Sequence, residues 1–124
     1  MKNISSISDN VLYPNFCKLA AENDEVFKTF KKNTVYNSIL EHVAYEDAEK
    51  CVKLILDNNF CFMEKIVKFK QNDVYGSAKI YNFDKFGKFS PSTIRYIKVM
   101  FDLFKLFGNL DDLIITEVGA GYGG

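Results

Sequence analysis

The chain has 124 residues, enough for one domain with a buried core, and its 48% hydrophobic, 15% aromatic and 26% charged residues are a globular rather than a disordered composition. Sixteen basic and sixteen acidic residues give a formal net charge of +0, which argues against a general nucleic-acid binder, because such proteins carry a basic excess or stripe. The polar N-terminus has no apolar core for a signal peptide, no run approaches the ~18 apolar residues of a membrane span, and Cys17, Cys51 and Cys61 form no Cys-x-x-Cys pair, so the expectation is a cytoplasmic protein with reduced cysteines and no metal site.

The first ten residues are polar. From Tyr13 to Lys32 the pattern is helical, with Phe16, Leu19 and Ala20 in one stripe and Val26, Phe27 and Phe30 in another. Asn23-Asp24 lies between the stripes and is placed to cap a second helix, so two short helices or one bent helix are expected. Thr34 is an N-cap candidate for a helix carrying Val35, Ile39 and Val43 at i, i+4, i+8. A cleaner helix is predicted from Tyr45 to Asp57, where Ala48, Cys51, Val52, Ile55 and Leu56 share one face. Glu46, Asp47 and Glu49 sit in its first turn, where the helix dipole favours negative charge, and Asn58-Asn59 marks its stop. Phe60 to Phe69 repeats the helical pattern through Phe62, Ile66 and Phe69.

Residues 71–90 break the period, and their aromatics predict a loop or short hairpin packed on a surface. The strongest helix follows. Ser90 is its N-cap, Pro91 its first residue and Gly108 its stop. Arg95, Lys98, Asp102 and Lys105 form one polar stripe on it; nearly everything else between is apolar, which predicts burial over most of its circumference. After a short loop, Leu113 to Val118 reads as a strand of a parallel sheet, and the chain closes with the glycine loop of EVGAGYGG.

Gly119, Gly121 and Gly123 fit Gly-x-Gly-x-Gly, while Gly119, Gly121 and Gly124 fit the dinucleotide fingerprint Gly-x-Gly-x-x-Gly. Glu117 separates the two. A carboxylate beside this loop repels pyrophosphate, whereas S-adenosylmethionine carries a positive sulfonium and a positive α-ammonium. The residue therefore favours the methyl donor over NAD. A buried Glu117 bonding the amides of its own loop is the structural alternative.

These stretches carry a family resemblance. Asn72, Asp73 and Gly76; then Ser90, Pro91, Thr93, Arg95 and Tyr96; then Glu117, Gly119, Gly121, Tyr122, Gly123 and Gly124 resemble the pattern of the sugar O-methyltransferases, and Tyr36 to Val43 resembles their N-terminal region. The resemblance covers most of the chain from about residue 30 onward. Ile94 stands where the family has Leu, and Ala78 where it has Pro.

The resemblance implies an S-adenosylmethionine-dependent enzyme acting on a sugar or glycan acceptor. The implied fold is mostly α: a helical N-terminal region (1–70), an aromatic-rich connecting segment (71–89), and the first helix, first β-strand and Gly-rich loop of a truncated Rossmann-like methyltransferase domain (90–124). The family continues through the rest of the sheet, so an N-terminal portion, inactive by itself, is expected. Glu117, Gly119, Gly121, Tyr122, Gly123 and Arg95 are the cofactor-binding candidates. Arg95 is placed to bond a substrate or the methionine carboxylate, or else it continues the polar stripe. His42, the single histidine, is either a base for the acceptor hydroxyl or a structural residue near a helix end. Asn72 and Asp73 either line the site or shape a turn. The reading from a different class is a non-catalytic helical interaction module with a relic glycine-rich tail.

Overall fold

A computed structural model describes residues 11–58 and 63–119. It is mostly helical, with one small sheet. The elements are α1 (Leu12–Glu22), α2 (Asp24–Phe27), α3 (Thr34–Asn37), α4 (Tyr45–Asp57), α5 (Met63–Ile66), α6 (Lys70–Val74), β1 (Tyr81–Phe83), β2 (Gly87–Phe89) and α7 (Pro91–Phe107). Short 3-10 turns at Phe30–Lys32 and Val67–Phe69 bend the chain between helices.

Two short helices do replace one long one before Lys32. The Asn23 side chain accepts from the amides of Glu25 and Val26, which ends α1 and starts α2 in the same residue. The helix expected across Val35, Ile39 and Val43 is a single turn. Its cap is Asn33 rather than Thr34, through bonds from the amides of Val35 and Tyr36. It stops because the Ser38 hydroxyl takes the Val35 carbonyl at 2.8 Å, a local bond that competes with continued helix. Residues 38–44 then run as a loop.

The core forms where α4 crosses α7. Ala48, Val52 and Ile55 from α4 meet Ile94, Ile97 and Phe101 from α7, and all six are buried. Full burial of each larger side chain contributes about 1.5–3 kcal/mol. The hairpin closes one side of this core. Its strands pair antiparallel, Tyr81 with Phe89 and Phe83 with Gly87. That register points Phe83 and Phe89 inward, and Phe86 at the turn joins them. Tyr45 stacks on Phe83 at 5.2 Å, tying the hairpin to the start of α4.

The start of α7 is held from two directions. The Ser90 hydroxyl accepts from the Thr93 amide at 3.2 Å, as an N-cap should. Behind it, Asp73 accepts from the Ser90 amide at 2.9 Å and from the Thr93 hydroxyl at 2.8 Å. Asn72 donates to the same hydroxyl at 2.6 Å. Asn72 and Asp73 thus anchor a helix end. Thr93 is 0% exposed, so Thr93→Val leaves a carboxylate and an amide partly unmatched in the interior. The expected loss is about 2–3 kcal/mol in urea unfolding, against about 1 kcal/mol for Ser90→Ala.

Two expectations are corrected. Helix α7 is not buried around most of its circumference among the described residues: Val99, Leu106 and Phe107 are exposed. Residues 113–118 form no strand. An apolar run becomes a strand only when a neighbour takes its amides and carbonyls, and the sole ladder among the described residues joins β1 to β2. Ile114 is 98% exposed and Val118 94%.

Candidate functional site

A cleft of about 360 Å³ lies between the loop that follows α3, the first turns of α7 and the segment after it. The loop contributes Ile39, Leu40, His42 and Val43. Helix α7 contributes Ser92, Arg95, Tyr96 and Val99, and the segment beyond contributes Glu117 and Gly119. Residues some 75 positions apart in the sequence, His42 and Glu117, therefore face one space.

Each wall has a local cause. Ser92, Arg95, Tyr96 and Val99 recur at i, i+3, i+4, i+7, which is one face of a helix. The loop wall hangs from Glu41, whose carboxylate is buried beneath it. Lys31 Nζ lies 3.7 Å from Glu41 Oε1 and donates to the Asn72 carbonyl at 2.5 Å. Burial pushes the Glu41 carboxyl above the usual carboxylate range, against the pull of the Ser92 hydroxyl and the Lys31 ammonium. Burial likewise pushes the Lys31 ammonium down, against Glu41 and Asp73. Glu41 Oε1 has no hydrogen-bond partner among the described residues.

Inside the cleft the charges are unmatched. Neither Arg95, His42 nor Glu117 has a hydrogen-bond or ion-pair partner among the described residues. Lys98 and Asp102, further along the polar stripe, satisfy each other at 2.6 Å. Arg95 and Lys105, at the two ends of the stripe, have no such ion pair among the described residues. The Tyr96 hydroxyl is pushed up by burial and by the Glu41 and Glu117 carboxylates, with Arg95 opposing, so it stays a proton donor.

Of the cofactor-binding candidates, Arg95, Glu117 and Gly119 are brought together here. Gly121, Tyr122 and Gly123 lie outside the described residues. His42 caps no helix end; it belongs to the loop and lines the cleft. Asn72 and Asp73 do not line it. Glu117 is exposed, where its structural alternative has it buried; residues 120–124 of its loop lie outside the described residues. Sequence reasoning missed Lys31 and Glu41, because a buried ion pair leaves no spacing signal.

A second hollow of about 250 Å³ lies between α1 and residues 27–36, lined by Tyr13, Phe16, Phe30 and Tyr36 among others. It has no charged side chain, and its polar groups are the Tyr13 and Tyr36 hydroxyls and the Cys17 thiol. Among the described residues no three His, Cys, Asp or Glu side chains are grouped to hold a metal ion, and no helix is long and apolar enough to cross a membrane. Burial pushes the Cys51 thiol up, away from the reactive thiolate. Comparison with protein-family models, with curated proteins and with solved structures returned no match.

Proposed function

We propose that this chain carries the cofactor-binding end of a cytoplasmic S-adenosylmethionine-dependent sugar O-methyltransferase, with 90–124 the opening of a Rossmann-like domain. The observation that carries the reading is the presence of Arg95, Glu117 and Gly119 in one cleft, with both charges unpaired among the described residues. The methionine end of the cofactor is a zwitterion. Arg95 suits its carboxylate, since a guanidinium fork matches a carboxylate in two parallel bonds, and Glu117 suits its ammonium. A cleft of about 360 Å³ falls within the usual range for small-molecule sites. When bound, the cofactor supplies an electrophilic methyl on a sulfonium that leaves without acid assistance. The chain's own residues then hold and orient it, and positioning is most of what such a transfer requires.

The test is amide NMR of the 124-residue chain titrated with S-adenosylhomocysteine and, separately, with NAD. Chemical-shift changes around Arg95, Glu117 and Gly119 are expected with the first and not with the second. Arg95→Ala and Glu117→Gln are each expected to weaken binding by about tenfold or more, the usual worth of a charge-assisted hydrogen bond. A response to NAD alone, or to neither ligand, would overturn the reading.

A second reading, a helical interaction module, draws support from the exposed apolar residues Leu106, Phe107, Ile114 and Val118. Light scattering showing a defined assembly with the Arg95 cleft indifferent to S-adenosylhomocysteine would favour it.

A further inference from the structure

We propose that the hollow between α1 and residues 27–36 is a second binding site, separate from the cleft, and that it takes a small neutral aromatic compound of one or two fused rings. The inference stands whichever ligand the cleft binds.

The hollow has a wall and a cover. Phe30 and Tyr36 form the wall; each is 4% exposed, and their rings meet edge-on at 4.8 Å. Phe27 extends it by stacking on Phe30 at 5.4 Å. The Asn23 and Asn33 caps start the short helices that carry Phe27 and Tyr36. The cover is α1, which turns Tyr13, Phe16, Cys17, Ala20 and Ala21 toward the wall. At i, i+3, i+4, i+7 and i+8 these residues share one helix face.

Such a face ordinarily buries itself by interlocking with its neighbour. Here no residue of α1 is buried. Ala20 and Ala21 present only methyl groups to the hollow. Tyr13 and Phe16 each stand 6.4 Å from Tyr36 between ring centroids, near the far end of aromatic contact. Protein interiors leave few spaces larger than one water molecule, and this hollow measures about 250 Å³. An apolar cavity of about 150 Å³ already accommodates benzene.

The charge of the lining selects the occupant. No lining side chain is charged. A cation placed here gives up its hydration with no carboxylate to meet it, and the ring faces return only part of that cost. An anion meets the negative faces of the rings. A neutral ring has no charge to desolvate and gains contact over its whole surface with rings of its own kind. An aliphatic chain gains the area without the ring-to-ring geometry. Burial and the Cys17 thiol push the Tyr13 hydroxyl up, so it stays protonated and offers a hydrogen bond to a polar atom on the edge of the ring.

The test is NMR of the 124-residue chain with indole as the probe, and with choline and hexanol as the cationic and aliphatic comparisons. Indole is expected to shift the amide signals of Tyr13, Phe16, Ala20 and Tyr36 saturably, with half the change at about 1 mM or below. Choline and hexanol should bind about fivefold more weakly or worse, and the Arg95 and Glu117 signals should stay still. Ala20→Leu places a larger apolar group in the hollow. It should weaken indole by about tenfold or more while the urea midpoint holds or rises. Where that variant does not fold, the wild-type Cys17 thiol decides: indole should slow its labelling by a maleimide about threefold or more and leave Cys51 unchanged. No saturable change along α1, tighter binding of choline or hexanol, or unprotected Cys17 would overturn the site. So would full indole binding by a folded Ala20→Leu, or an indole response centred on Arg95 and Glu117.

Discussion

Gly76→Ala is expected to destabilise the protein by about 3–5 kcal/mol, combining left-handed backbone strain with overpacking of a closed interior. Gly76 adopts φ +77°, which L side chains rarely take. A Cβ built there would meet Phe30 Cε1 at 2.6 Å and Lys31 Cγ at 2.8 Å. Phe30 borders the hollow beside α1 but its ring is set among other aromatics, and Lys31 is tied to the Asn72 carbonyl. The Phe30 ring stands edge-on to Tyr36 at 4.8 Å and stacks with Phe27 at 5.4 Å. The Gly76 carbonyl also accepts the Lys31 amide at 3.0 Å, so the backbone cannot swing away without breaking that bond. Gly119→Ala is the control. It has a similar φ of +78° but nothing among the described residues within 4 Å of the added carbon, so only the strain of about 1–2 kcal/mol applies. Urea unfolding of both variants measures the difference. Equal losses would show that the close approach of Gly76 to Phe30 is not what holds this junction.

That junction was only partly legible in the sequence, and the reason is general. Features that depend on the chain's own neighbours were readable. Ser90-Pro91 and Gly108 bracket α7, and the spacing of Ala48, Val52 and Ile55 gave the buried face of α4, because capping and helical period are local. Features that depend on a distant partner were not. Val35, Ile39 and Val43 have helical spacing, yet Ser38 and the buried Glu41 turn that stretch into a loop. Leu113 to Val118 has the composition of a strand, yet a strand exists only beside another. Lys31 and Lys32 are adjacent and chemically identical in the sequence; one is buried and the other exposed. The same division applies to the cleft. Arg95, Glu117 and Gly119 were readable from motif spacing, and the cleft unites them. What sets the loop wall opposite them, the Lys31–Glu41 pair, joins residues that no periodicity relates.

Lys31→Met is expected to cost about 3–5 kcal/mol at neutral pH, the usual penalty for removing one partner of a buried ion pair. The loss is larger than a surface pair would show because the Lys31 side chain is 0% exposed and that of Glu41 9%. Burial raises the Glu41 carboxyl above its ordinary value of 4.5, so the folded state holds its proton longer than the unfolded state does. The stability Glu41 contributes is therefore fully present below pH 4.5 and is lost as the pH rises through its folded value. Lys31 runs the other way. Its folded value lies below 10.5, so its contribution is present above pH 10.5 and is lost as the pH falls through the folded value. Wild-type stability from these two groups should thus decline above pH 4.5 and recover toward pH 10.5. Without Lys31, the opposing charge is gone and the Glu41 carboxyl rises further. The variant should approach wild type below pH 4.5, where Glu41 is neutral, and fall furthest behind it near neutrality. Adding Glu41→Gln to Lys31→Met removes the stranded charge and should recover part of the loss. Unfolding curves across pH decide the matter. A Lys31→Met penalty that is constant with pH, or two single losses that simply add in the double variant, would mean that the pair is not what positions the loop carrying His42.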